Sequence, residues 1–299
     1  MPKERARFLV ALFTVLCLLA FSPACGRDED EEDADDAGAG AAEVSLTPYK
    51  TTGNEGSVTG TVTFTGAAPA PKAISMDQDP VCSSTNPNAV AEDMVVNGDK
   101  LQNVFIYIKD GKTSGADAKS ITSLSFAPPA EPKVLDQHGC HYVPHVVGVQ
   151  TNQVLRVTNS DATPHNINAQ AAKNERFNQG QGPGAPALEK KFQRAEILIP
   201  VKCQQHPWMR SWVGVVSHPF FAVSDQAGKF EIKGLPPGTY TLVAWHEKFK
   251  QEQTQSITVG AKEGKEANFT FAAEAMAAEL NTGSLQLMPA IEFPMLGHH

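Results

Sequence analysis

The chain has 299 residues, with 25 basic and 33 acidic side chains and a formal net charge of −8 at pH 7. That length is sufficient for two domains after a leader has been removed. No basic patch or stripe occurs along the chain, so composition and charge exclude nucleic acid as an expected partner.

The N-terminus has the features of an export signal. The basic residues Lys3, Arg5 and Arg7 precede an apolar run over residues 8–21, and small residues follow it. The run is about fourteen residues long, which is short of the roughly 20 that a membrane-spanning helix needs. We therefore expect residues 1–24 to be a signal peptide and the protein to be exported, to the periplasm or the outer face of the cell envelope.

Cys25 is a candidate for lipidation. The run Ser22-Pro23-Ala24-Cys25 resembles the lipobox of bacterial lipoproteins, although leucine is usual where Ser22 stands. An acyl chain on Cys25 would anchor the exported protein to a membrane. Ordinary cleavage, with Cys25 lost or left as a free thiol, is the alternative.

An acidic segment follows the cysteine. Sequence rich in alanine and glycine follows a cluster of eight acidic residues at positions 28–36. These are Asp28, Glu29, Asp30, Glu31, Glu32, Asp33, Asp35 and Asp36. Because like charges repel and the segment has little apolar surface to bury, residues 25–52 are expected to form an extended, disordered tether.

From residue 56 onward, the sequence consists of short alternating runs interrupted by turn residues. This pattern predicts an all-β fold. The candidate strands are residues 58–64, 101–108, 146–149, 154–157, 196–201, 212–216, 229–232, 239–245, 255–259 and 267–271.

Two glycine-rich patterns resemble the carboxypeptidase regulatory-like, or prealbumin-like, β-sandwich. One alternates glycine with valine and ends at Phe64, and the other runs from Gly228 through Pro236-Pro237 to Tyr240, more than 160 residues away. The resemblance implies a small sandwich, residues 53–130 plus 218–272, interrupted by an inserted domain at 131–217 and followed by a tail at 273–299. Insertions are tolerated at exposed loop tips. Two domains in tandem are the alternative.

The insert contains a set of metal-ligand residues. Cys203, His206 and Met209 are separated by two residues each, and His165 lies upstream in a Pro-His-Asn sequence. One thiolate, two imidazoles and one thioether make up the ligand set of a type 1, or blue, copper site.

These residues resemble the ligand loops of the cupredoxins plastocyanin and amicyanin. The resemblance implies a Greek-key sandwich that holds one type 1 copper, with His165, Cys203 and His206 as equatorial ligands and Met209 as the axial one. Asn166 would tie the two ligand loops together. The alternative is that Cys203 is a small buried hydrophobe and His206 a surface histidine.

The cysteine count predicts one disulfide. Of the five cysteines, Cys17 belongs to the leader, Cys25 is the anchor candidate and Cys203 is the copper ligand. Cys82 and Cys140 remain, in an exported protein in which disulfides persist. We expect them to pair and to join the outer sandwich to the start of the insert.

Three further histidines surround Cys140, namely His138, His141 and His145. They are consistent with a second metal site. They are also consistent with a polar strand entry in which alternating strand geometry directs the histidines to different faces.

The ligand set predicts the function. A single copper without an open coordination position carries an electron and does not act on a substrate, so we expect no enzyme activity and no small-molecule substrate. Redox proteins would be the partners, and the edge of His206, beside Pro207 and Trp208, would be the electron port. The alternatives are a copper-binding or copper-delivery lipoprotein and a metal-free structural protein of the envelope. A copper enzyme of the nitrite-reductase kind would need a three-histidine site that the sequence does not visibly provide.

Overall fold

The computed structural model describes residues 46–276, apart from the side chain of Lys250. Its regular secondary structure is almost entirely β-strand. This confirms the all-β prediction. The expected signal peptide, Cys25, most of the acidic tether and residues 277–299 lie outside the described range. No helix among the described residues has the length and apolar character needed to cross a membrane.

The elements before residue 131 are β1 (Thr47–Pro48), β2 (Gly56–Thr65), α1 (Pro80–Thr85), β3 (Val96–Asn97), β4 (Lys100–Leu101), β5 (Phe105–Thr113), a 3₁₀ turn (Ile121–Ser123) and β6 (Leu124–Ser125). The central strands are β7 (Lys133–His138), β8 (His141–Val143), β9 (Val146–Gln150), β10 (Val154–Asn159), β11 (His165–Ala169), β12 (Phe177–Gln181), β13 (Leu188–Lys191), β14 (Glu196–Lys202) and β15 (Arg210–Val216). The last strands are β16 (Phe221–Val223), β17 (Lys229–Leu235), β18 (Gly238–His246), β19 (Phe249–Val259), β20 (Gly264–Glu266) and β21 (Phe269–Ala272). Every candidate strand of the sequence falls on one of these, and residues 101–108 divide between β4 and β5.

Strands from both ends of the described chain form the outer sandwich. One sheet has the order β16-β5-β18-β19 and the other the order β17-β2-β4-β3, with β20 and β21 also paired to β2. The sequence of β2 alternates, so Val58, Val62 and Phe64 all enter one hydrophobic core. Gly60 lies on the same face of β2. The position requires glycine because a Cβ there would come within 1.8 Å of the Ala267 carbonyl oxygen.

The central strands form the inner sandwich. Its sheets have the orders β13-β10-β7-β8 and β12-β11-β14-β15-β9. A second core lies between them, and its fully buried members include Leu135, Tyr142, Leu155, Ile167 and Val213. β14 and β15 are antiparallel neighbours, so the segment that joins them, residues 203–209, emerges at one end of this sheet.

A third, aromatic cluster joins the two sandwiches. Phe105 of β5 packs against Phe221 of β16, with ring centroids 5.9 Å apart. Val146 of β9 and Val216 of β15 are among the buried members of the same cluster. Both sandwiches therefore share buried apolar surface.

Three segments differ from the sequence-based expectations. Residues 47 and 48, expected within the tether, form β1 and pair in parallel with β6. Residues 177–181, which are absent from the candidate strands of the sequence analysis, form β12 and pair with β11. Residues 74–91, hereafter the cap, were placed in the outer sandwich, yet Met76, Cys82 and Ala89 of the cap belong to the inner core.

Candidate metal centre

Three of the predicted ligands meet at adjoining strand ends. His165 is the first residue of β11, Cys203 directly follows β14, and β11 and β14 are antiparallel neighbours. The Nδ1 atoms of His165 and His206 lie 2.8 Å apart, and the Cys203 Sγ lies 3.8 Å from the His206 Nδ1. Ligand atoms of all three residues lie within 4.8 Å of one another, and all three side chains are buried.

The loop between the strands is closed by its own backbone. The Met209 N–H donates to the His206 carbonyl at 2.9 Å, and the Cys203 N–H donates to the Met209 carbonyl at 3.2 Å. The Met209 side chain is fully buried in the inner core. The loop is therefore a tight turn that fixes the spacing between Cys203 and His206.

Asn166 connects the two halves of the site. Its Oδ1 accepts the backbone N–H of Gln204 at 2.6 Å and lies 3.4 Å from the Cys203 Sγ. Since Asn166 belongs to β11 and Gln204 to the loop after β14, this side chain holds the two ligand-bearing segments in register.

Charge around the site favours a thiolate. Burial alone would raise the pKa of the Cys203 thiol, but hydrogen bonds from His165 and from backbone N–H groups lower it. Burial likewise disfavours the charged form of His165, and its hydrogen bond to Asp161 and its proximity to Cys203 outweigh burial and raise its pKa to about 9. The surroundings of the centre therefore stabilise the charged form of each side chain, the thiolate of Cys203 and the imidazolium of His165.

Asp161 is held where it can accept the Nε2–H of His165, at 2.8 Å. Its two carboxylate oxygens also accept the backbone N–H groups of Gly139 and Cys140, at 2.7 and 2.8 Å. These bonds lower the pKa of Asp161 against the effect of burial. The sequence analysis did not identify Asp161, although its position four residues before His165 was visible.

The cap covers the second imidazole. The Nε2 of His206 lies 3.0 Å from the Asp79 Oδ2, and His206 is only 4% exposed. Asp79 caps the N-terminus of α1, and the disulfide between Cys82 of this helix and Cys140 joins the cap to the turn between β7 and β8. The edge of His206, predicted to be the electron port, is therefore covered by the cap and does not lie at the surface. The only sequence signal for Asp79 was an Asp-Pro helix start.

The disulfide forms between the two predicted cysteines, but it does not join the outer sandwich to the insert as expected. Cys82 and Cys140 lie in the inner core, so the bond holds the cap to the inner sandwich and does not join the two sandwiches. Cys203 is the free cysteine of the described residues.

The residues present fit a copper ion. A buried thiol of lowered pKa and two imidazole nitrogens converge on one point, and these are the ligand types that type 1 copper takes. The structure also groups Asp79 and Cys82 with His206, and Cys140 and Asp161 with His165. The sulfurs of both groups are bonded to each other, so they do not act as thiolate ligands in this state.

The histidines around Cys140 form a separate cluster. His138 is exposed, whereas the Nδ1 atoms of His141 and His145 lie 3.6 and 3.8 Å from the same Glu92 oxygen. The expectation that strand alternation directs these histidines to different faces was wrong for His141 and His145. His141 begins β8, His145 lies in the bend between β8 and β9, and both face Glu92. His145 also pairs with Glu247. Among the described residues, this cluster does not bring three ligand atoms within 4.8 Å of one another.

Comparison with known proteins identifies part of the chain. Residues 215–272 match the family model of the carboxypeptidase regulatory-like domain. This match covers the closing strands of the outer sandwich, where the sequence analysis found one of its two glycine-rich patterns. No curated protein sequence matches the chain.

Solved structures resemble parts of the chain. A purple cupredoxin from Nitrosopumilus maritimus is 20% identical, with a TM-score of 0.25, over 28% of this chain and 99% of its own. A reduced amicyanin variant is 22% identical, with a TM-score of 0.27, over 29% of this chain and 85% of its own. The copper-containing nitrite reductase from Thermus scotoductus SA-01 is 15% identical, with a TM-score of 0.28, over 36% of this chain and 25% of its own. These are partial similarities of fold.

Proposed function

We propose that the inner sandwich holds a single type 1 copper ion and that the protein carries single electrons between redox protein partners. The observation that supports this most directly is the convergence of Cys203, His165 and His206, whose ligand atoms lie within 4.8 Å of one another in a buried pocket. Copper bound by such ligands alternates between Cu(II) and Cu(I).

Each residue of the centre has a distinct task. Cys203 supplies the thiolate, which its surrounding N–H groups stabilise, and the two histidines supply their Nδ1 atoms. Met209, buried at the end of the loop, would supply the thioether. Asn166 fixes the distance between the two ligand segments through Gln204. A frame held in this way changes little between oxidation states, which favours fast electron transfer.

The enclosure of the site favours a carrier over an enzyme. His206 is covered by the cap, and His165 and Cys203 are 0% and 3% exposed. Catalysis at a metal requires an open position for substrate or water. A buried centre without such an opening suits electron transfer, for which no ligand has to enter.

The proposal places the protein outside the cytoplasm. The N-terminal leader predicts export, Cys25 predicts a lipid anchor, and the acidic segment after it predicts a tether to the membrane surface. The disulfide between Cys82 and Cys140 agrees with this placement, because disulfides persist in oxidising compartments and are rare in the cytosol.

The test is a titration of the purified, disulfide-intact protein with Cu(II), followed by visible absorption and EPR spectroscopy. We expect an intense thiolate-to-copper charge-transfer band at one equivalent, which Cys203→Ser abolishes. His141→Gln is the matched control, because His141 is a half-buried histidine outside the ligand group, and it should keep the band.

Two outcomes would contradict the proposal. A colourless protein that nevertheless binds Cu(I) would favour copper binding or delivery. A protein that binds no copper in either oxidation state would favour a metal-free structural role in the envelope.

A further inference from the structure

Both candidate copper-binding imidazoles are backed by a carboxylate. The Nε2 of His165 lies 2.8 Å from an Asp161 oxygen, and the Nε2 of His206 lies 3.0 Å from an Asp79 oxygen. The Nδ1 atoms of the same rings face each other across the metal centre. Each ring is therefore held between the metal position and an aspartate.

Asp79 is fixed by contacts on several sides. Its carboxylate accepts the N–H groups of Val81 and Cys82, at 2.8 and 3.2 Å, and the hydroxyl of Thr163 at 2.7 Å. Thr163 lies two residues before the ligand His165. Asp79 therefore connects the cap, the first ligand segment and the second imidazole.

The two aspartates are linked through the disulfide. Asp79 accepts the backbone N–H of Cys82, Cys82 is bonded to Cys140, and the backbone N–H of Cys140 donates to Asp161. The indole N–H of Trp208, which follows His206 in the ligand loop, donates to the Cys140 carbonyl at 3.1 Å. One covalent and hydrogen-bonded chain thus passes behind both imidazoles.

We propose that Asp79 and Asp161 are positioning residues that hold the two imidazoles for the metal and stabilise Cu(II) relative to Cu(I). This inference rests on the proposed copper site. A carboxylate that accepts the Nε2–H of a metal-bound histidine fixes its tautomer and orientation and raises its basicity. Two negative charges near a buried ion are poorly screened, and they stabilise the more highly charged oxidation state.

The variants Asp79→Asn and Asp161→Asn test the inference, because asparagine preserves the shape and one acceptor oxygen while removing the charge. The matched controls are Asp77→Asn and Asp136→Asn. The Asp77 carboxylate, in the same cap, accepts the Ser75 hydroxyl, and the Asp136 carboxylate accepts the hydroxyls of Thr158 and Ser160. The midpoint potential of the copper-loaded protein is measured by spectroelectrochemical titration.

Each test variant should raise the Cu(I)-to-Cu(II) ratio at a fixed ambient potential at least tenfold, which corresponds to 59 mV for a one-electron couple. The controls should change this ratio less than twofold. A second readout uses the copper-free protein. The ¹⁵N chemical shifts of the His206 ring should report the Nε2–H tautomer in the wild type, and Asp79→Asn should alter the tautomer population or the exchange rate of that proton.

The outcomes separate the two proposals. If the wild-type protein shows no charge-transfer band with copper, the proposed function fails and this inference fails with it. If the wild type is blue but Asp79→Asn and Asp161→Asn match their controls in potential and in the His206 signals, the inference is overturned and the proposed function stands. If Asp161→Asn does not fold, Asp79→Asn alone decides.

Discussion

The disulfide that fastens the cap permits a quantitative prediction. Cys82 and Cys140 are separated by 58 residues, and both are completely buried. In the chain-entropy model, a cross-link that closes a loop of this size stabilises the folded state by about 4 kcal/mol at 25 °C, chiefly by restricting the unfolded chain. The double variant Cys82→Ala/Cys140→Ala should therefore lose about 4 kcal/mol, a large share of the 5–15 kcal/mol typical of a folded domain.

Urea unfolding of the copper-free protein, followed by tryptophan fluorescence, measures this loss. We expect the midpoint to fall by more than about 1 M for the double variant, given urea slopes of about 1–3 kcal/mol/M. Reduction of the wild type with a phosphine should reproduce the shift. The double variant provides the reference for that experiment because it has neither thiol.

A small effect would refute the reasoning. If the double variant lost less than about 1 kcal/mol with an unchanged urea slope, the cross-link would not restrict the unfolded chain as the model requires. The buried contacts of Met76 and Ala89 with the inner core would then be sufficient to hold the cap.

Two further predictions concern the outer sandwich and its junction with the inner one. Burial lowers the pKa of His218 to about 4, so the unfolded state binds more protons between about pH 6.5 and 4. The free energy of unfolding should fall by roughly 3 kcal/mol as the pH drops through that window. Thermal melts of the wild type and of His218→Asn at several pH values check it, and the same dependence of melting temperature on pH in both proteins would contradict it. Gly214→Ala would place a Cβ 2.5 Å from the Phe105 ring and should lower the free energy of unfolding in urea by about 1–3 kcal/mol. The control Gly180→Ala, with open space around the residue, should lower it little. Equal losses of stability in the two variants would contradict the close packing at the junction.

Local sequence was sufficient to predict the ten candidate strands, although it missed others such as β1 and β12. The apolar residues of β2 alternate with polar ones, and the structure buries Val58, Val62 and Phe64 on one face. The turn residues Pro236 and Pro237 likewise separate β17 from β18. Alternation and turn chemistry act over a few residues, so they are readable without knowing what the strand packs against.

The ligand group could be proposed from sequence because its chemistry is specific. Few sites other than type 1 copper combine a thiol, two imidazoles and a thioether at this spacing. The structure brings three of these four side chains to within ligand distance of one another. The contact between Asn166 and Gln204 follows from the same two segments.

The cap could not be predicted in this way. Asp79 lies 127 residues before His206 in the chain, and nothing in the sequence around it indicates that partner. Its helix-capping role is a local property, whereas its contact with the imidazole depends on how the chain folds over the inner sandwich. The burial of His206 could not be predicted for the same reason, since it is set by long-range packing.

The closed site bears on the choice between the two copper hypotheses. Delivery requires the ion and its ligands to separate, and here the cap, its disulfide and the Asp79 bond all lie over His206. Release would need the cap to open against the buried contacts of Met76 and Cys82. An electron needs no such opening, because it tunnels through packed protein. Trp208, whose ring centroid lies 5.1 Å from that of His206 and which is partly exposed, offers a short path to the surface. The covered site hinders release of a bound ion, whereas the path through Trp208 to the surface is short. This combination favours the electron-carrier hypothesis over copper delivery.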